Sequence, residues 1–154
     1  MGNGAYTRGC PRMMKLSYSC TFEKEASQLL SQCLSSNPTD NNVNWFMASK
    51  DNKKEGAEEA LKAWYDEITR TGAHMVQATG SQNMLLPDLK ITHFARMVWG
   101  TNTQVGCAFK ECSGNWQVVC KYNTGVGALG NTIYQMGPNC NQCKDSCDGG
   151  LCLK

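Results

Sequence analysis

Ten of the 154 residues are cysteine, and two are histidine, His74 and His93. Thiols in that number either hold metal as thiolates or close disulfides in an oxidising compartment. Zinc-finger chemistry wants a cysteine pair with histidine at a fixed short spacing. Neither histidine here stands beside a cysteine pair. The even count therefore reads as a disulfide framework. The final run, Cys140-x2-Cys143-x3-Cys147-x4-Cys152, invites a zinc-knuckle reading by its density. It has no histidine ligand and its middle spacing is short, so disulfides are the reading adopted here too.

Other chemistries leave signatures that are absent. There is no Gly-x-Ser-x-Gly elbow, no Gly-Lys-Thr phosphate loop and no His-Glu-x-x-His pair. Gly125, Gly127 and Gly130 lack the strand-then-helix setting of a dinucleotide site and read as a turn. Fifteen basic against 13 acidic residues, a net charge of +2, offer no footprint for nucleic acid or anionic lipid. No apolar run approaches the ~20 residues needed to cross a bilayer as a helix. With 41% hydrophobic residues, the length suits a single domain with a real core.

The elements that must position any site follow from periodicity. Phe22, Ala26, Leu29, Leu30 and Cys33 fall on one helical face, with Thr21 as cap and Pro38 as terminator. Asn37 to Asn44 reads as loop. Ala57, Ala60, Leu61, Trp64, Tyr65 and Ile68 form the stripe of a second helix over 55–70, stopped by Gly72. Residues 72–88 read as a long loop carrying His74, and 91–99 as a helical turn or buried segment. Alternation in 104–109 and 116–122 about Ser113-Gly114 makes a hairpin, which sets Cys107 opposite Cys120 for a cross-strand bridge. A last strand is expected over 132–136.

Three stretches together resemble one family. THFARMVWGTNTQVGCAF (92–109) is similar to the first signature of the CAP superfamily, and VVCKYNTGVGALGNTIYQMG (118–137) to its second. The cysteine tail resembles the hinge that follows the domain in nematode members, and AWYDEI (63–68) the family's second-helix pattern. The nearest group is the nematode venom-allergen-like, activation-associated secreted proteins. The resemblance implies an α+β fold, a three-layer α-β-α sandwich. It divides the chain into a CAP domain over residues 1–137 and a hinge-like tail over 138–154. Family members carry a further helix and a signal peptide upstream, so the chain is expected to be N-terminally incomplete and the protein secreted.

The family's cleft of two histidines and two glutamates, which can hold a divalent metal, carries over only in part. His93 and Glu67 match two of the four. Asn37 stands where the other histidine is expected, and Val43 where the other glutamate is expected. One imidazole and one carboxylate fall short of the three or four ligands zinc wants. A vestigial cleft is therefore expected, with His93 hydrogen-bonded to Glu67, no metal or other cofactor, and no catalytic nucleophile. Family likeness also assigns Cys33–Cys112. The tail is expected to close as Cys140–Cys147 and Cys143–Cys152. Cys20 matches a family cysteine whose partner lies upstream and Cys10 has no counterpart, with a Cys10–Cys20 bond as the alternative.

By function, the resemblance implies a non-enzymatic, immunomodulatory module that binds a host protein or receptor. The alternative is carriage of a sterol or fatty acid, with Met75, Val76, Met84, Leu85 and Leu86 of the long loop as candidate lipid- or partner-facing residues.

Overall fold

The computed structural model describes residues 1–78 and 82–153. Its centre is the hairpin of β5 (Gln104–Cys112) and β6 (Asn115–Tyr122), joined by Ser113 and Gly114. Both turn residues have positive φ, 53° and 84°. That conformation matches the twist of the two strands, and glycine takes it without a Cβ clash. β2 (Val43–Ala48) adds antiparallel to β6, and β1 (Ser17–Tyr18) adds parallel to β5, giving the order β1-β5-β6-β2.

One helix covers one face of this sheet. α1 (Cys20–Leu29) buries Ala26 and the following Leu30 against Val43, Ala108 and Val119. Its cap is Ser19, whose Oγ accepts from the Phe22 amide at 3.3 Å, and not Thr21. The helix begins two residues earlier than a Thr21 cap would place it, because the Ser19 hydroxyl reaches the third amide along. Gly106 lets α1 sit this close: a Cβ there would lie 2.2 Å from the Glu23 nitrogen.

The other face carries α2 (Lys53–Asp66), capped by Asn52 on the Glu55 amide, and α3 (Thr92–Met97). Ala60 and Trp64 pack on Val118, Cys120 and Tyr122. Alternation along β6 thus sends Val119 to one helical layer and its neighbours to the other, making the three-layer α-β-α sandwich. Leu61 and Tyr65, placed on the buried stripe by periodicity, are exposed. The sheet accepts only a narrow strip of α2, centred on Gly56, Ala60 and Trp64.

Three segments differ from the sequence reading. β2 occupies residues read partly as loop, because its polar Asn44 is buried beside Val43 and masks the alternation. Within 72–88, β3 (Val76–Ala78) pairs with β4 (Gln82–Met84). The segment 132–136 is not a strand. Beyond one bridge between Met84 and Thr132, the amide of Tyr134 is satisfied by the Asn83 side chain, and Ile133, Tyr134 and Met136 are core residues.

The structure joins Cys33 to Cys112, Cys107 to Cys120, Cys140 to Cys147 and Cys143 to Cys152. Cys107 and Cys120 face each other in register. Cys10 and Cys20 are free and far apart in character, one buried and one exposed, so the alternative of a Cys10–Cys20 bond is set aside. Burial pushes the Cys10 thiol above its ordinary range, and only the thiolate reacts. Iodoacetamide on the native protein should therefore modify Cys20 and spare Cys10 until denaturant is added. Equal labelling of both in buffer would contradict this placement.

Candidate functional site

Glu67 follows directly on α2, and His93 lies in the first turn of α3. The contact between those helices brings them together. His93 Nδ1 lies 2.7 Å from Glu67 Oε1. The other carboxylate oxygen accepts the Phe94 amide at 2.9 Å, one of the α3 amides left without an intrahelical partner. Nε2 of His93 lies 3.2 Å from Asn37 Oδ1. The Trp64 indole runs nearly parallel to the imidazole, tilted by 10° with centroids 6.4 Å apart. Arg70, one turn on from Glu67, places its guanidinium 3.7 Å from Oε1.

These side chains line a cleft of about 370 Å³, with Trp45, Phe46, Met47 and Ala63 as its apolar part. Asn37 reaches it from the segment after α1, and two long-range ties anchor that segment beside the packing of Leu34 under α1. One is the Cys33–Cys112 bridge. The other is Gln117 on β6, fully buried, whose side chain accepts from the Leu34 amide at 2.8 Å and donates to the Leu34 carbonyl at 2.7 Å.

Val43 is not a cleft residue. It is buried with Ala26, Leu30, Ala108 and Val119 in the layer under α1. The strand residue that serves the His93 side is its neighbour Asn44. Its Nδ2 donates to the His93 carbonyl at 3.0 Å, and its Oδ1 accepts from Arg96 at 3.4 Å. Arg96 also donates to the Asn41 carbonyl at 3.0 Å, and Asn102 to the Arg96 carbonyl at 2.7 Å. Burial lowers the Arg96 pKa, and the Glu67 charge partly offsets it. Burial raises Tyr122 well above its ordinary value, so it stays neutral. Asn44, Arg96, Asn102 and Gln117 escape a sequence reading because nothing in their spacing distinguishes them from surface polar residues.

The candidate loop residues separate. Met75 and Leu85 are core, packed with Ile91, Phe94 and Trp99, while Val76, Met84 and Leu86 are half-buried. Met75 and Leu85 flank the open end of the β3–β4 hairpin and are buried in the core, which removes them as lipid-facing residues. His74 lies apart from the cleft, its Nδ1 2.9 Å from the Gly72 carbonyl. A larger hollow of about 820 Å³ lies elsewhere, between the N-terminal segment, the end of α2 and the tail, with Met1, Tyr6, Tyr65, Phe94, Val98 and Tyr134 in its walls.

Residues 8–122 match the profile of the cysteine-rich secretory protein family, CAP. The chain belongs to the CAP family. Among its relatives, Hookworm platelet inhibitor 1 of Ancylostoma caninum is 32% identical over 143 residues, covering 92% of this chain and 66% of the relative. Ancylostoma secreted protein of the same organism is 28% identical over 152 residues, covering 92% and 36%. The chain therefore spans under two thirds of the length of both. The crystal structure of NaASP2 with Zn2+ superposes with a TM-score of 0.80 at 30% identity, over 98% of this chain and 82% of that one. Among the described residues no helix is long and apolar enough to cross a membrane.

A zinc-bound CAP relative raises the question of whether these residues fit the ion. They do not. Zinc wants three or four N, O or S donors, and here one imidazole and one carboxylate face each other. Glu67 already accepts from Phe94 and faces the Arg70 cation, and Asn37 brings only an amide oxygen. An ion entering between His93 and Glu67 would break the bond that holds both.

Proposed function

We propose that this CAP protein is a secreted, non-catalytic binding module that engages a host cell-surface protein, as an immunomodulatory or platelet-directed factor. What carries the reading is its likeness to Hookworm platelet inhibitor 1 over nearly its whole length. Two features support it: four disulfides suited to an extracellular scaffold, and a cleft whose one histidine is spent on structural hydrogen bonds. Among the described residues both ring nitrogens of His93 are engaged, Nδ1 by Glu67 and Nε2 by Asn37, and not by a hydroxyl or thiol that the ring could activate. The labelled chain should bind platelets or leukocytes saturably, with displacement by unlabelled protein. Met47→Glu at the exposed cleft rim should weaken that binding. Absence of saturable binding to either cell type would remove the reading.

A second reading, carriage of a fatty acid or sterol, is favoured by the 820 Å³ hollow, which falls in the size range of small-molecule sites. Saturable uptake of a fluorescent fatty acid, blocked by Val98→Trp, would favour it.

The same proposal holds that the cleft works without metal. Zinc added to the oxidised protein should leave its Tm unchanged. A site filled at a hundredfold above its Kd would stabilise the fold by about 2.7 kcal/mol, a plainly measurable rise. A zinc-dependent rise that vanishes in His93→Ala would overturn it.

A further inference from the structure

β2 is an open edge of the main sheet. Residues along an antiparallel strand alternate between turning their backbone N–H and C=O toward the partner strand and turning them away. The Tyr122 amide donates to the Asn42 carbonyl at 2.9 Å, which fixes the phase. Asn44, Phe46 and Ala48 therefore bond β6, while Trp45 and Met47 turn their backbone groups outward. Two contacts agree with that phase. The Trp45 carbonyl accepts from the Trp64 indole at 3.3 Å, and the Ser49 amide, the next outward donor, is closed off by Glu59 at 2.8 Å. Among the described residues, the Trp45 amide and both backbone groups of Met47 have no protein partner.

Such an edge is a template for another strand, and proteins blunt it with shortness, charge or proline. The opposite edge is blunted. β1 has two residues, the Cys107 carbonyl beyond it accepts from the Tyr18 hydroxyl at 3.3 Å, and β5 carries Lys110 and Glu111. β2 has six residues with no charge and no proline. Its outward groups run along the cleft of about 370 Å³, bounded by Ala63 and Glu67 on the α2 side and by Asn37 of the segment after α1.

We propose that β2 and this cleft form a docking groove for an extended peptide segment of a partner protein, which adds to the sheet at Trp45 and Met47. The unpaired backbone row is matched in geometry by another extended backbone. Both helical layers flank the edge, so the groove admits a single chain and obstructs the sheet edge of a second folded copy. Within it the Glu67 carboxylate and Arg70 guanidinium, 3.7 Å apart, offset each other. The side chain lodged there is therefore uncharged, and Trp45, Phe46 and Met47 suit an aromatic or long aliphatic one. This proposal rests on the reading of the cleft as a protein-binding site, not on which host cell carries the partner.

The test selects displayed random peptides on the purified, oxidised chain and then measures its amide exchange by NMR with the enriched peptide bound. Extended, uncharged sequences carrying Phe, Leu or Met should be enriched, and exchange should slow at Trp45 and Met47. Met47→Pro removes the outward donor at a position where the β6 ladder needs none. Its Tm should hold while peptide binding falls about tenfold, the effect of stranding one peptide acceptor. Met47→Ala keeps the amide and should lose less. The exchange measurement uses the unmutated chain and does not depend on how either variant folds. No enrichment, slowed exchange confined to residues away from β2, or equal binding by Met47→Pro would overturn the proposal. So would a dimer in sedimentation that Met47→Pro disrupts, which would give the edge to a second copy. Peptide binding at β2 without cell binding would count against the host-cell reading and leave the groove standing.

Discussion

Replacing Cys33 and Cys112 together by alanine should cost about 4 to 5 kcal/mol of stability, the largest loss expected from any one crosslink here. The two are 79 residues apart in sequence, and the chain-entropy model assigns a loop of that size a penalty in this range once the denatured chain is released. The Cys107–Cys120 bridge spans only 13 residues, and the same model gives it about 3 kcal/mol. Urea titration of the two double variants should therefore rank them in that order. The loss also has a local consequence. The segment after α1 would then be held at Leu34 by the Gln117 clasp and by the packing of Leu34 in the layer under α1. Asn37 should withdraw from His93, and the His93 ring signals should shift more in this variant than in the hairpin one. A loss below 1 kcal/mol, or the reverse ranking, would show that the denatured chain keeps these residues close without the bond.

The second large effect is expected at Glu67. Its side chain is 13% exposed and serves two donors at once, the His93 ring and the Phe94 amide. Glu67→Ala strands both at the junction of α2 and α3. Leaving such groups unpaired costs about 1–3 kcal/mol each when buried. Water reaches this cleft in part, so the summed loss should be about 2 to 3 kcal/mol. Glu67→Gln keeps an acceptor for each bond in turn and should lose about half as much. A double-mutant cycle with His93→Ala should show coupling of at least about 1 kcal/mol. Glu67→Ala within 0.5 kcal/mol of the parent would mean that the bond is incidental and α3 is positioned by packing alone.

Much of this architecture is legible in the residues. The α1 and α2 stripes and the alternation about Ser113-Gly114 mark two helices and a hairpin, because each is a local period written into adjacent positions. The family signatures bring His93 and Glu67 to notice. Val43 shows where that reading stops. Its alignment position is right for a cleft acid, yet the phase of β2 turns its side chain into the apolar layer beneath α1. Likewise Met75 and Leu85 sit in a stretch whose polarity reads as loop, and only the packing of Ile91, Phe94 and Trp99 on them makes them core.

By itself, then, the sequence determined the local elements, the disulfide-rich class, and the facing of Cys107 and Cys120. All of these depend on residue type and near spacing. Tertiary structure decided the rest. It joined Asn44 to His93 and to Arg96, joined Asn102 to Arg96, set Gln117 to grip the segment that carries Asn37, and left Cys10 buried and Cys20 exposed. The physical reason is that burial and hydrogen-bond partnership belong to pairs of residues. Such pairs, 49 positions apart for Asn44 and His93 and 83 for Leu34 and Gln117, meet only once the sheet has brought its faces together.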